Sequence, residues 1–217
     1  MIKASDIRSI FPEITQENPV LLHTSNENNF PVGSAKSDKF KFKAPICDTC
    51  NTNRTSPHDK AWEKVSKHLL QYDLERRGNL SIRMAKIFTS NIYLNALNVH
   101  LFFVKLFGCR VIENGIPVEI TSFSCSIMNN TPNPYLFLRF KKAIGNSLKS
   151  LSISPVHVEK KGTETVVAAW MYSVGQLNVE LLYAPSGACN SFLKSSFNPL
   201  NQFRVVRFDD FEPEDFV

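Results

Sequence analysis

The stretch from Asn91 to Phe107 constrains this chain more than any other, because it is apolar on nearly every side of a helix. A helix with an apolar stripe can lie on a surface, whereas one that is apolar all round must be covered from every direction. The run therefore predicts a central buried helix, with Gly108 as its natural stop. Asn95, Asn98, His100 and Lys105 interrupt it. As a segment from Ile92 to Phe107 it reads as too short and too polar to cross a bilayer, so no membrane partner is expected.

The elements around that run follow from local pattern. Ser56 reads as an N-cap, Pro57 as the first helical residue and Asp59 as a capping-box partner. Ala61, Trp62, Val65, Leu69 and Tyr72 then recur at helical spacing, so a helix is expected from Ser56 to about Arg77, closed by Gly78. A second helix is expected over roughly 82–89. Beyond Gly108 the period changes to that of strands. These are expected at Val118–Ile120, Tyr135–Phe140, Ile153–Val158, Thr165–Val174, Leu177–Tyr183 and Phe203–Phe208, with a hairpin turn at Val174-Gly175-Gln176-Leu177. Earlier in the chain, Val20–His23 and Phe30–Gly33 read as short strands. Lys39-Phe40-Lys41-Phe42-Lys43 alternates as a half-exposed strand does.

Composition adds few constraints. There are 17 Phe, enough for a sizeable core, and the net charge of +5 suits a polyanionic partner without requiring one. The last nine residues carry five acids and no base, so the preceding chain is more basic than the total. That acidic end either folds back on a basic surface or stays solvated. Cys109, Cys125 and Cys189 sit among apolar neighbours and read as small core side chains. With no disulfide framework and no apolar leader, a cytoplasmic location is expected.

The chemistry-bearing stretch is Cys47-Asp48-Thr49-Cys50-Asn51, followed by Arg54 and His58-Asp59. A Cys-x-x-Cys turn brings two thiolates to one point, as zinc requires. Cys-x-x-Cys-Asn-x-x-Arg running into a helix resembles the second half of an HNH, or ββα-metal, endonuclease motif. The resemblance covers about residues 20 to 62. It implies an N-terminal ββα zinc-type module, placed over 1–85, while the residue pattern of the rest gives a helix plus antiparallel-sheet domain over 86–217. In outline this is an α+β protein with a helical middle and a mostly antiparallel C-terminal sheet. It implies further that Cys47 and Cys50 hold a structural Zn²⁺, and that His23 is the general base. Asn51, with His58 as an alternative, would hold a catalytic Mg²⁺ or Mn²⁺.

The chain departs from the family pattern in several places. Leu22 stands where the family has an acid or His before its catalytic His. No upstream Cys-x-x-Cys completes a four-Cys site, and the central Asn of the motif has no counterpart in 39–45. Arg54, Lys60, Lys64 and Lys67 are expected either to contact phosphates or to form a solvated helix face. Two functions follow. One is a metal-dependent nucleic-acid endonuclease of HNH type, or a diverged DNA-binding relative. The other is a non-catalytic protein-binding module, an inhibitor or adaptor of the kind phages and mobile elements encode.

Overall fold

The computed structural model describes residues 2–23, 28–43, 49–71, 80–143, 150–162, 164–185, 193 and 196–211, without the side chains of Cys50, 164–166, 210 and 211. The described helices are α1 (Ala4–Ile10), α2 (Ser56–Leu70), α3 (Met84–Ile87), α4 (Ile92–Glu113) and α5 (Thr121–Asn129). The strands are β1 (Val20–Leu22), β2 (Phe30–Val32), β3 (Leu80–Arg83), β4 (Leu136–Ala143), β5 (Leu151–Ile153), β6 (His157–Lys161), β7 (Glu164–Val174), β8 (Leu177–Tyr183) and β9 (Val205–Phe211).

β1 and β2 form a small antiparallel pair, and the remaining seven strands form one sheet. Its order is β3-β9-β4-β8-β7-β5, with β6 also pairing β7. The sheet is mixed, because β4 and β9 run parallel while every other pairing is antiparallel. The turn between β7 and β8 is the expected hairpin. Gly175 there has φ of +56°, which glycine adopts without steric cost.

α4 is the central helix, and it is longer than its sequence pattern suggests. It passes through Gly108 without a break and ends at Glu113. A Cβ at Gly108 would lie 3.7 Å from Phe123 Cβ, so the glycine marks where α5 packs rather than where the helix stops. At 22 residues, α4 is long and apolar enough to cross a membrane by length and composition, contrary to the reading of the shorter run. Within this molecule 78% of its most apolar window is buried. α2 covers one side and the sheet the other. Trp62 of α2 meets Phe102 at 5.5 Å, Phe103 at 4.7 Å and Tyr172 of β7 at 6.1 Å between ring centroids. Further along α4, Phe107 lies 6.3 Å from Trp170 and 6.4 Å from Tyr183. Both tryptophans are core residues, as expected. Burial of so much aromatic surface is the main favourable term in such a core.

Other expectations need correction. Residues 82–89 are not one helix. Leu80–Arg83 pairs antiparallel with β9, and only Met84–Ile87 is helical. The alternating run 39–43 is not a strand, because Asp38–Phe40 is a 3-10 turn in which the Ser37 side chain accepts from Lys39 N–H. No strand forms at Val118–Ile120. Instead Glu119 accepts from the amides of Thr121 and Ser122 at 2.6 and 3.2 Å, starting α5. Residues 153–158 are two strands, β5 and β6, with a break at Ser154–Val156. Ser56 does not cap α2: Thr55 takes that place, with no side-chain cap bond. The described part of α2 ends at Leu70; Tyr72, Arg76, Arg77 and Gly78 fall outside the described residues. Cys109 is buried as expected, but Cys125 is exposed, and Cys189 lies outside the described residues.

The acidic end begins inside the sheet. Asp209 lies on β9 and pairs with Arg139 of β4, whose Nε donates to it at 3.0 Å. Residues 212–217 lie outside the described residues. The core is continuous across the boundary expected at residue 85: Ile7, Trp62, Ile82, Phe102, Tyr172 and Val206 belong to one apolar cluster.

Candidate functional site

Cys50–Arg54 forms a single wide helical turn just before α2. Asn51 is exposed on that turn, and its backbone carbonyl accepts from the Thr55 hydroxyl at 2.9 Å. Arg54 is exposed too, but its guanidinium donates to Met128 O at 2.9 Å, near the C-terminal end of α5. A cation suits that end of a helix, where carbonyls are left unpaired. Arg54 thus ties the turn to the helical middle of the molecule.

His23 is exposed, directly after β1. His58 is buried, with 3% of its surface exposed, and its Nδ1 lies 2.9 Å from Asn98 Oδ1 on α4. That contact makes Nδ1 the protonated nitrogen, since a carboxamide oxygen only accepts. Nε2 is buried with no hydrogen-bond partner. Burial holds the His58 imidazole below its ordinary value; the Asn98 hydrogen bond opposes this, Lys105 adds to it and Asp59 opposes it. The structure therefore places His23, Asn51 and His58 in two different settings, two at the surface and one inside.

Asp59 does not complete a capping box. Its carboxylate takes Lys105 Nζ at 2.8 and 2.9 Å, and Lys3 Nζ lies 3.5 Å away. The Lys105 ammonium also donates to Thr55 Oγ1 at 3.2 Å. A polar seam of Thr55, His58, Asp59, Asn98 and Lys105 thus joins the start of α2 to α4. A second buried cluster centres on Asp6 of α1. Its carboxylate accepts from Trp62 Nε1 at 2.8 Å, Ser66 Oγ at 2.9 Å and Tyr172 OH at 2.7 Å.

Cys47 lies outside the described residues, as does the Cys50 side chain, so the expected zinc pair does too. Among the described residues, no group of three or more His, Cys, Asp or Glu is placed to hold a metal ion. Of the expected ligands that are described, Asn51 is open to solvent, while the imidazole of His58 is committed to Asn98 on one side.

Lys60, Lys64 and Lys67 are all exposed along α2. Lys64 Nζ sits 5.0 Å above the Phe88 ring, which steadies the side chain without neutralising it. Beside these lysines is a cleft of about 310 Å³, lined by Pro57, Lys60, Ala61 and Lys64 of α2, by Phe88, Thr89 and Ser90, and by Asn95 and Asn98 of α4. Sequence reasoning found the lysines but not Asn98 or the 88–90 segment. Their only sequence signal is polarity within an otherwise apolar run. No family model, curated protein or solved structure matches this chain.

Proposed function

We propose that this chain is a diverged relative of HNH proteins that binds nucleic acid through the basic face of α2. The carrying observation is the set Lys60, Lys64 and Lys67, exposed on the helix that follows the Cys50–Arg54 turn. Three ammonium groups spaced along one helix suit a backbone that carries a phosphate at every nucleotide. Metal-dependent cleavage, with His23 as base and Asn51 as the Mg²⁺ or Mn²⁺ ligand, is the catalytic form of the same proposal. Cys47 and Cys50 are its proposed zinc pair. His58 belongs here to the interior, where it orients Asn98, rather than to the metal.

The test is fluorescence anisotropy with a labelled oligonucleotide over a salt series, together with Mg²⁺- and Mn²⁺-dependent plasmid nicking and zinc analysis. Replacing Lys60, Lys64 and Lys67 by Ala should flatten the slope of log affinity against log salt, by up to about 0.9 for each duplex phosphate that is no longer neutralised. An unchanged slope rejects the α2 face. Nicking that disappears in a folded His23→Ala protein supports catalysis, and nicking that persists in it removes His23 from the mechanism.

A further inference from the structure

We propose that the cleft between α2, the 88–90 segment and the start of α4 seats a single phosphate group. This deepens the α2 reading above and rests on it for the source of that phosphate. Lys60 and Lys64 are one turn apart, so both side chains serve the same side of α2. Thr89 and Ser90 bring hydroxyls and Asn98 a carboxamide to the lining, while the Asn95 carboxamide donates to Ser90 O at 3.0 Å and Asn91 O at 3.1 Å. No carboxylate is among the described lining residues, and the sequence has no Asp or Glu from Leu80 through Ile112. The lining therefore combines two cations with neutral donors. Its volume lies at the small end of ligand-sized cavities.

Asn98 is the observation that makes this more than a patch of lysines. It is buried, with 8% of its surface exposed, and yet it lines the cleft. Its Oδ1 is held by His58, while its Nδ2 donates to none of the described residues. Nδ2 is not among the buried atoms that lack a partner, so it opens to the cleft rather than being sealed inside. An oxyanion in the cleft would accept from this nitrogen. His58 is then a positioning residue: by fixing Oδ1 it leaves Nδ2 for the cleft. The first halves of α2 and α4 both border the cavity, and neither helix has a side-chain cap at its N-terminus. The positive ends of both dipoles add to the attraction.

Inorganic phosphate, AMP and a short single-stranded oligonucleotide are the probes, titrated into the intact protein at fixed ionic strength. Amide NMR reads the Asn98 side-chain NH₂ resonances, and anisotropy reads the oligonucleotide. The expected result is a saturable phosphate-dependent shift of the Asn98 NH₂ signals, with affinity reduced at least tenfold in Lys60→Ala/Lys64→Ala and unchanged in Lys160→Ala. Oligonucleotide affinity should also fall further in Lys60→Ala or Lys64→Ala than in Lys67→Ala, since Lys67 does not line the cleft. Oligonucleotide binding to which all three lysines contribute equally, with no phosphate shift at Asn98, overturns the cleft and keeps the α2 face. Phosphate or AMP binding at Asn98 without oligonucleotide binding keeps the cleft, assigns it to a small phosphorylated ligand and rejects the nucleic-acid reading. Absence of both overturns both.

Discussion

Asp6 is buried, with 1% of its surface exposed, and is the single acceptor for three side chains that belong to α2 and β7. Replacing it by Ala leaves the Trp62 indole N–H and the Tyr172 hydroxyl inside the protein with no acceptor, and Ser66 with only Glu63 O at 3.4 Å. The expected cost is about 3 kcal/mol or more, read as a lower midpoint in urea unfolding. Burial pushes the Asp6 carboxyl above 3.8, against the opposing hydrogen bonds from Trp62, Tyr172 and Ser66 and the nearby Lys3. The folded chain thus holds this proton more tightly than the unfolded chain. The stability it contributes is fully present below about pH 3.8 and is lost as pH rises through the folded-state value. Subtracting the unfolding free energy of Asp6→Asn from that of the natural protein at each pH should give a difference that falls with rising pH. A difference that rises instead means the carboxylate is better stabilised inside than in water. His100 has the opposite sign. Burial drives its imidazole down to about 3, and Nε2 accepts from Asn133 N–H. Its contribution is intact above about pH 6.5 and is lost as pH falls toward 3. The His100 ring carbons should therefore keep the NMR shifts of a neutral imidazole at pH 5; movement to imidazolium shifts there would contradict the burial argument.

At the scale of elements, Gly108 offers a clear test of α4. The helix runs through it, and a methyl group there meets Phe123 at ordinary contact distance. Gly108→Ala should stabilise the protein by about 0.5–1 kcal/mol, because alanine is the better helix former and no overlap opposes it. A destabilised variant would show that α4 and α5 are packed closer than this distance implies. Where an element's cause is local, the sequence shows it. The apolar circumference of α4, the helical spacing of Ala61, Trp62, Val65 and Leu69 on α2, and Gly175 between β7 and β8 are all legible as residue patterns. β3 is not, because four residues beginning at Leu80 become a strand only through β9, more than a hundred residues later. α5 buries little beyond Phe123 and Ser126, so its pattern is faint. The candidate site divides in the same way. Lys60, Lys64 and Lys67 are visible as a helix face. The pairing of His58 with Asn98, and of Asp6 with Tyr172, links residues 40 and 166 positions apart, which no local pattern encodes.

For the whole molecule, the decisive connection is β9, which lies between β3 and β4 inside the seven-stranded sheet. It carries Val206 and Phe208 into the core, and it holds Asp209 against Arg139. Ending the chain after Gln202 should abolish cooperative thermal unfolding, because β3 loses its described strand partner and β4 loses one edge. A truncated protein that still melts cooperatively would show that the sheet closes without β9. The position of this strand also sets an order of events during synthesis. Residues 205–211 leave the ribosome after every strand they join, so β3 and β4 are made early and wait with unpaired edges. Helix α4 and the β7–β8 hairpin can form as they emerge, since their contacts are near in sequence. The sheet between β3 and β4 then closes only once that strand has emerged. Until it arrives, the open edges are the place where two unfinished chains would pair with each other.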